Sequence, residues 1–240
     1  DDWRLETQAL LAAEPFFAVQ RDQIAAVRDR IAARRPYPTL STMFLDSTSS
    51  LAAEMQIYLT GLLDLRLGRL EAADRAAVEL ESRGRRADSP GVQLAHVIKA
   101  AIARSHGDLR DALTELDAFS FDPSVRGIAV VARWGVHERF MRAELLFALG
   151  RFREALPWYE GMMGFYDFPY FAAAHFRTAQ IAEQLGDRER ARFHYLRFVA
   201  MWSDADPERQ PLVAQARERL RQLTPDRVAL TLSALGSTLR

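Results

Sequence analysis

The eleven residues Leu149 to Tyr159, LGRFREALPWY, carry a skeleton that recurs three more times along the chain. It consists of a glycine, a residue two positions on that is apolar in three of the four copies, and an alanine three positions beyond that. The copies are Gly68, Leu70 and Ala73; Gly107, Leu109 and Ala112; Gly150, Phe152 and Ala155; and Gly186, Arg188 and Ala191. Apolar residues at helical spacing precede and follow each glycine, so the glycine is predicted at a helix C′ position, where a left-handed backbone carries no Cβ penalty. The alanine then falls on the inner side of the second helix, where a small side chain lets two antiparallel helices approach closely. Apolar residues four positions later, Ala77, Leu116, Tyr159 and Tyr195, are expected to fill the space that remains.

This skeleton resembles the tetratricopeptide repeat, a helix-turn-helix unit of about 34 residues. Counting back from each hinge, the small first-helix residue of that family falls at Gly61, Ala100, Ala143 and Ala179, all of them small. The hinges lie 39, 43 and 36 residues apart (68 to 107, 107 to 150, 150 to 186), and the family's first-helix Trp is absent from every copy. The resemblance implies an all-α fold: a right-handed solenoid of helical hairpins with capping helices at both ends. Residues 1–40 would form the N-terminal cap and 50–205 four divergent repeats, at about 54–87, 93–126, 136–169 and 172–205; residues 206–240 would close the array. The last 70 or so residues, through DPERQPLVAQARERL, also resemble the closing helices of repeat regions at the ends of bacterial signalling kinases and transcription regulators.

Composition narrows the function classes. The formal net charge is zero, which argues against a dedicated nucleic-acid binder, because phosphate recognition shows as an excess of Lys and Arg. No cysteine is present, so disulfides, thiolate catalysis and zinc-cysteine sites are excluded. A Cys-free chain suits either redox environment, so compartment is left open, with the cytoplasm favoured. No apolar run reaches the length of a membrane span, so no insertion is expected. The chain begins at Asp1 without Met, which leads us to expect processing or a longer parent protein.

Taken in order, Trp3 to Ala13 reads as a short helix and PFFAVQRDQIAAVRDRIAARR, from Pro15, as a longer one with Phe16, Val19, Ile24, Val27 and Ile31 at helical spacing. Pro36 to Thr48 reads as a loop, and the basic cluster Arg83 to Arg86 as a solvated turn. Asp117 to Gly135 reads as an irregular connection whose apolar run GIAVVARW starts the long first helix of the third repeat. Trp158 to Phe171 is rich in aromatic residues, read first as core and alternatively as a partner anchor. Asp206 is expected as an N-cap with Pro207 at the first position of a terminal helix.

Catalysis finds little support. HERFM, at His137, lacks the second imidazole of the zinc-protease helix, and no GxSxG, phosphate-cradling loop or dinucleotide fingerprint occurs. The chain is therefore read as not an enzyme, with no cofactor and no metal site. The family resemblance implies instead that the first helices of successive repeats line a groove for a protein or peptide partner. By register its positions are Tyr58, Leu62 and Leu65; Val97, Ala101 and Arg104; Phe140, Glu144 and Phe147; and Phe176, Gln180 and Glu183. Apart from Arg104 this set lacks the Lys, Arg and Asn of the family's carboxylate clamps. Two other occupants are weighed: the chain's own N-terminal helices, or a second copy, which would make a homo-oligomer. The functional expectation is a non-catalytic interaction scaffold belonging to a larger protein or assembly. The alternatives are a structural subunit of a complex and an enzyme with an unrecognised site.

Overall fold

A computed structural model of the chain describes residues 2–34, 48–84, 89–119, 128–162 and 169–223. Residues 36–47 of the loop expected over Pro36 to Thr48, Arg85 and Arg86 of the basic cluster, Pro123 and the middle of the Trp158 to Phe171 stretch lie outside those residues. Regular structure among the described residues is entirely helical. The chain falls into two compact units, residues 1–171 and 172–240.

Among the described residues the first unit holds eight α-helices: α1 (Asp2–Ala13), α2 (Arg21–Ala32), α3 (Thr48–Arg66), α4 (Leu70–Arg83), α5 (Pro90–His106), α6 (Leu109–Ala118), α7 (Ile128–Ala148) and α8 (Phe152–Glu160). They pack as neighbours in sequence order, and α3 also lies against α5. In the second unit, α9 (Phe171–Gln184) and α10 (Arg188–Trp202) form a hairpin; a 3-10 turn at Pro207–Arg209 then leads into α11 (Gln210–Leu223), which packs on α10.

The four hinges share one local mechanism. Gly68, Gly107, Gly150 and Gly186 have φ of 77°, 88°, 71° and 79°. In each, the N–H of the following residue reaches back five positions: Arg69 to Asp64 O at 2.8 Å, Asp108 to Ala103 O at 3.0 Å, Arg151 to Leu146 O at 2.9 Å and Asp187 to Ala182 O at 2.8 Å. The glycine N–H bonds the carbonyl three back, so the last carbonyls of the first helix are satisfied within the turn. No atom lies within 4 Å of where a Cβ would stand on these glycines, so backbone conformation and not crowding requires them. Gly61 is the opposite case. A Cβ there would sit 2.8 Å from Ala76 Cβ and 2.9 Å from Ile98 Cδ1, because α3 approaches both α4 and α5 at that point.

The hinge-following alanines Ala73, Ala112, Ala155 and Ala191 are fully buried, as are Ala100, Ala143 and Ala179 on the first helices. Ala77, Leu116, Tyr159 and Tyr195 are buried beside them. Replacing Ala155 with Leu is expected to destabilise the chain by about 1–3 kcal/mol, since the added atoms must displace close-packed neighbours. Urea unfolding that shows no loss would mean this face of α8 is open.

Two sequence expectations change at the ends. The long helix from Pro15 does not form: residues 14–20 leave the helix, and α2 begins at Arg21, with the Gln20 N–H donating to Gln23 Oε1 at 3.3 Å. Pro15 biases the residue before it away from helix, and Phe17 N–H closes a turn on Glu14 O at 3.1 Å. Near the other end, Asp206 stands at the cap position without a side-chain cap bond, and Pro207 opens the 3-10 turn in place of an α-helix.

Candidate functional site

In the first unit the expected groove positions lie on α3, α5 and α7. Tyr58, Leu62, Val97, Phe140 and Glu144 are buried, while Leu65, Ala101, Arg104 and Phe147 are partly exposed. The corner between α1 and α2 reaches them. Glu14 is fully buried, and both its carboxylate oxygens meet the Arg104 guanidinium, Nη2 to Oε1 at 3.0 Å and Nη1 to Oε2 at 2.9 Å. This fork-to-carboxylate geometry makes the strongest kind of charge-assisted hydrogen bond. Three residues on, the buried Phe17 ring stacks on Phe140 with centroids 6.2 Å apart and meets Tyr170 edge-on at 5.6 Å. Phe16 adds an edge contact to Phe140 at 5.7 Å. Phe140 thus has Phe16 and Phe17 on one side and Tyr159 and Tyr170, at 5.8 and 5.0 Å, completing its surroundings.

Hydrogen bonds from α1 and α2 hold this corner in place. Arg66 Nε on α3 donates to Ala12 O at 3.2 Å, Arg28 pairs with Asp64 through two bonds of 3.0 and 2.9 Å, and Arg21 donates to Leu67 O at 2.6 Å.

Behind the aromatic rings is a buried polar layer. Tyr58 Oη donates to Glu138 Oε1 at 2.8 Å, and Tyr159 Oη to Glu144 Oε1 at 2.6 Å. His137 Nδ1 lies 2.9 Å from Tyr170 Oη. Burial, reinforced by the Arg104 charge, holds His137 down to about 3, so the imidazole is neutral. Glu138 Oε2 and His137 Nε2 have no hydrogen-bond partner. Burial pushes Glu138 up to about 7 against the opposing Tyr58 hydrogen bond. The folded chain therefore keeps a proton on Glu138 that the unfolded chain, with its carboxyl near 4.5, gives up earlier. That contribution to stability is complete below about pH 4.5 and is lost as pH rises through about 7. Glu138→Gln, which keeps an acceptor for Tyr58, should accordingly gain thermal stability over the parent at pH 8 and show less advantage at pH 5. An equal difference at both values would mean Glu138 is not proton-linked to folding.

In the second unit, Phe176 is buried against Phe198 and Tyr195, with centroids 4.8 and 5.9 Å away. Gln180 Oε1 accepts from Arg177 at 2.8 Å. Glu183 accepts from Tyr195 Oη at 2.7 Å and from Arg219 Nε of α11 at 3.0 Å. His175 and His194 meet through their Nδ1 atoms at 2.8 Å, which requires one ring to donate and the other to accept. Both are held down to about 4, chiefly by burial.

The described part of the Trp158 to Phe171 stretch divides. Tyr159 and Tyr170 are core residues, whereas Trp158 is at the surface with the Arg142 guanidinium 5.1 Å from its ring. Among the described residues no cluster of three His, Asp or Glu is placed to hold a metal ion, and no helix is long and apolar enough to cross a membrane. Glu14, Phe17 and Glu138 were not among the residues expected at the site, and Tyr170 was expected only within the aromatic stretch read as core or as a partner anchor. Pro15 was the available signal for the first two, since it ends α1 with Glu14 at its edge. The site consists of an arginine fork with a carboxylate in it and an aromatic box with a phenyl ring in it. No protein-family model, no curated protein and no solved structure matches this chain.

Proposed function

We propose that this chain is a non-catalytic protein–protein interaction scaffold, a binding or regulatory module of a larger protein or assembly, built as a right-handed tetratricopeptide-like solenoid. One observation carries the reading. First-helix residues of two hairpins, Arg104 and Phe140, already grip a short non-helical segment, Glu14 to Phe17, by a charge pair and by aromatic contact. Side chains that hold a segment in this way suit a partner peptide. The acid and base groups nearby, Glu138 and His137, are buried behind the same rings, which fits a packing role better than turnover. The partner is a protein or peptide; zero net charge speaks against nucleic acid.

Affinity capture of the intact protein from its native source, with cross-linking, tests the reading. We expect a stoichiometric protein partner cross-linked to α3, α5, α7 or α9. Recovery of the protein alone, or turnover of a small molecule that a single substitution abolishes, would sink it.

A second reading, a structural subunit of a multiprotein complex, draws on α10. Phe193, Leu196 and Met201 lie on its outer face with relative exposures of 55%, 46% and 39%, a row of large apolar residues at helical spacing. Light scattering that gives a defined oligomer, and a monomer for Phe193→Glu, would favour this reading.

A further inference from the structure

The corner Glu14–Phe17 has the form of a bound ligand. Its long-range side-chain contacts go to Arg104 on α5, Phe140 on α7 and Tyr170, whereas its other bonds are local: Phe16 N–H to Glu14 Oε1 at 3.3 Å, Glu14 N–H to Leu10 O at 3.2 Å and Phe17 N–H to Glu14 O at 3.1 Å. Withdrawing the corner would leave every hairpin hinge bond intact. The cations that face the Glu14 carboxylate are Arg104 and, through its charge, Arg66.

Selectivity comes from the ion pair more than from the rings. A buried Arg–carboxylate pair stabilises a fold about as well as an apolar pair of equal volume would, because desolvation offsets most of the Coulombic gain. It also sets a condition: a segment without a carboxylate at that place leaves Arg104 desolvated and unpaired. The spacing sets a second condition, since the aromatic ring that enters the Phe140 and Tyr170 box comes three residues after the carboxylate.

We infer that Arg104, Phe140 and Tyr170 form a docking site for a partner segment of the type Glu-x-x-Phe, and that Glu14 to Phe17 is the cis occupant with which this partner exchanges. The inference rests on the scaffold reading and names its partner's chemistry. Tethering gives the cis segment an effective concentration on the order of millimolar, so a partner in trans must overcome that before it is seen to bind. Loosening the corner is therefore equivalent to raising partner affinity.

The test uses the full chain and a fluorescent peptide with the sequence of residues 9–20, ALLAAEPFFAVQ. Fluorescence anisotropy should show weak binding to the parent and binding at least about tenfold tighter to the Glu14→Gln, Phe17→Ala chain, whose own corner is weakened. The same two changes made in the peptide should each reduce its affinity by about tenfold, and Arg104→Gln in the loosened chain should abolish binding. A second readout needs no variant: saturating peptide should accelerate amide hydrogen exchange at residues 14–20 of the parent chain.

A loosened chain that is folded by circular dichroism yet binds no tighter than the parent overturns the inference. Binding that ignores Arg104→Gln does so too, as does exchange at residues 14–20 that saturating peptide leaves unchanged. If those arms fail while affinity capture returns a stoichiometric partner, this site assignment falls and the scaffold reading stands. If the peptide exchanges while no partner is captured, the site stands and the scaffold reading falls.

Discussion

Phe140→Ala is expected to cost about 3–5 kcal/mol of stability, because a fully buried ring is removed and the cavity it leaves is walled by other aromatic rings that collapse poorly. Phe16, Phe17, Tyr159 and Tyr170 all contact it, so the α1–α2 corner, α8 and the turn at Tyr170 lose a common neighbour in one step. Phe147 is different: it is only partly buried, and its ring meets Phe152 of its own hairpin edge-on at 5.4 Å. Phe147→Ala should cost less than half as much. Denaturant titration of the two single variants checks the contrast. Equal losses, or a Phe140 loss below about 1 kcal/mol, would show that the ring does not hold these elements together. A binding experiment on the Phe140→Ala, Phe147→Ala double variant must accordingly be read beside its unfolding curve.

Arg104→Met should cost a similar amount, about 3–5 kcal/mol, for an electrostatic reason. The substitution takes from the fully buried Glu14 carboxylate its facing charge and two hydrogen bonds, which the Phe16 N–H, 3.3 Å from Oε1, does not replace. Arg66 contributes a nearby charge, but its Nε hydrogen bond goes to Ala12 O. The second change, Glu14→Met, should then restore most of the loss, since an apolar pair of similar volume is neutral or better in such a place. A double-mutant cycle by urea unfolding measures the coupling. A single Arg104→Met variant as stable as the parent would mean that Glu14 finds water or another cation, and the corner would no longer be a well-held segment.

The hairpins were legible in the sequence because their determinants are local. A glycine at C′, an alanine five residues on and a further apolar side chain four beyond that are local choices, and the structure buries both of the latter in every copy. The positions expected to line a groove do lie on first helices, but the burial of Tyr58, Leu62, Val97, Phe140 and Glu144 was not legible. Their occupancy depends on Glu14 and Arg104 meeting across 90 residues, and nothing near either one announces the other. At Pro15 two signals competed, helical spacing of apolar residues against the bias of the residue before a proline, and the tertiary fit of Phe17 went with the second. His137 and Glu138 were hidden for a simpler reason. Neighbours on a helix point about 100° apart, so each finds a different tyrosine, and the sequence HERFM suggests neither contact.

The hinges also determine where such a chain can change length. Each second helix starts two residues after its glycine, at Leu70, Leu109, Phe152 and Arg188, although the glycines themselves are unequally spaced. All the variation is therefore absorbed by the helices and by the stretches that join one hairpin to the next. A turn that saturates its own carbonyls acts as an insulator, so residues gained or lost on one side of it do not shift the register on the other. Insertions between hairpins should accumulate at little thermodynamic cost, since loop closure grows only slowly with length. A single residue added between Gly150 and Phe152 would instead rotate the whole buried face of α8 by about 100°.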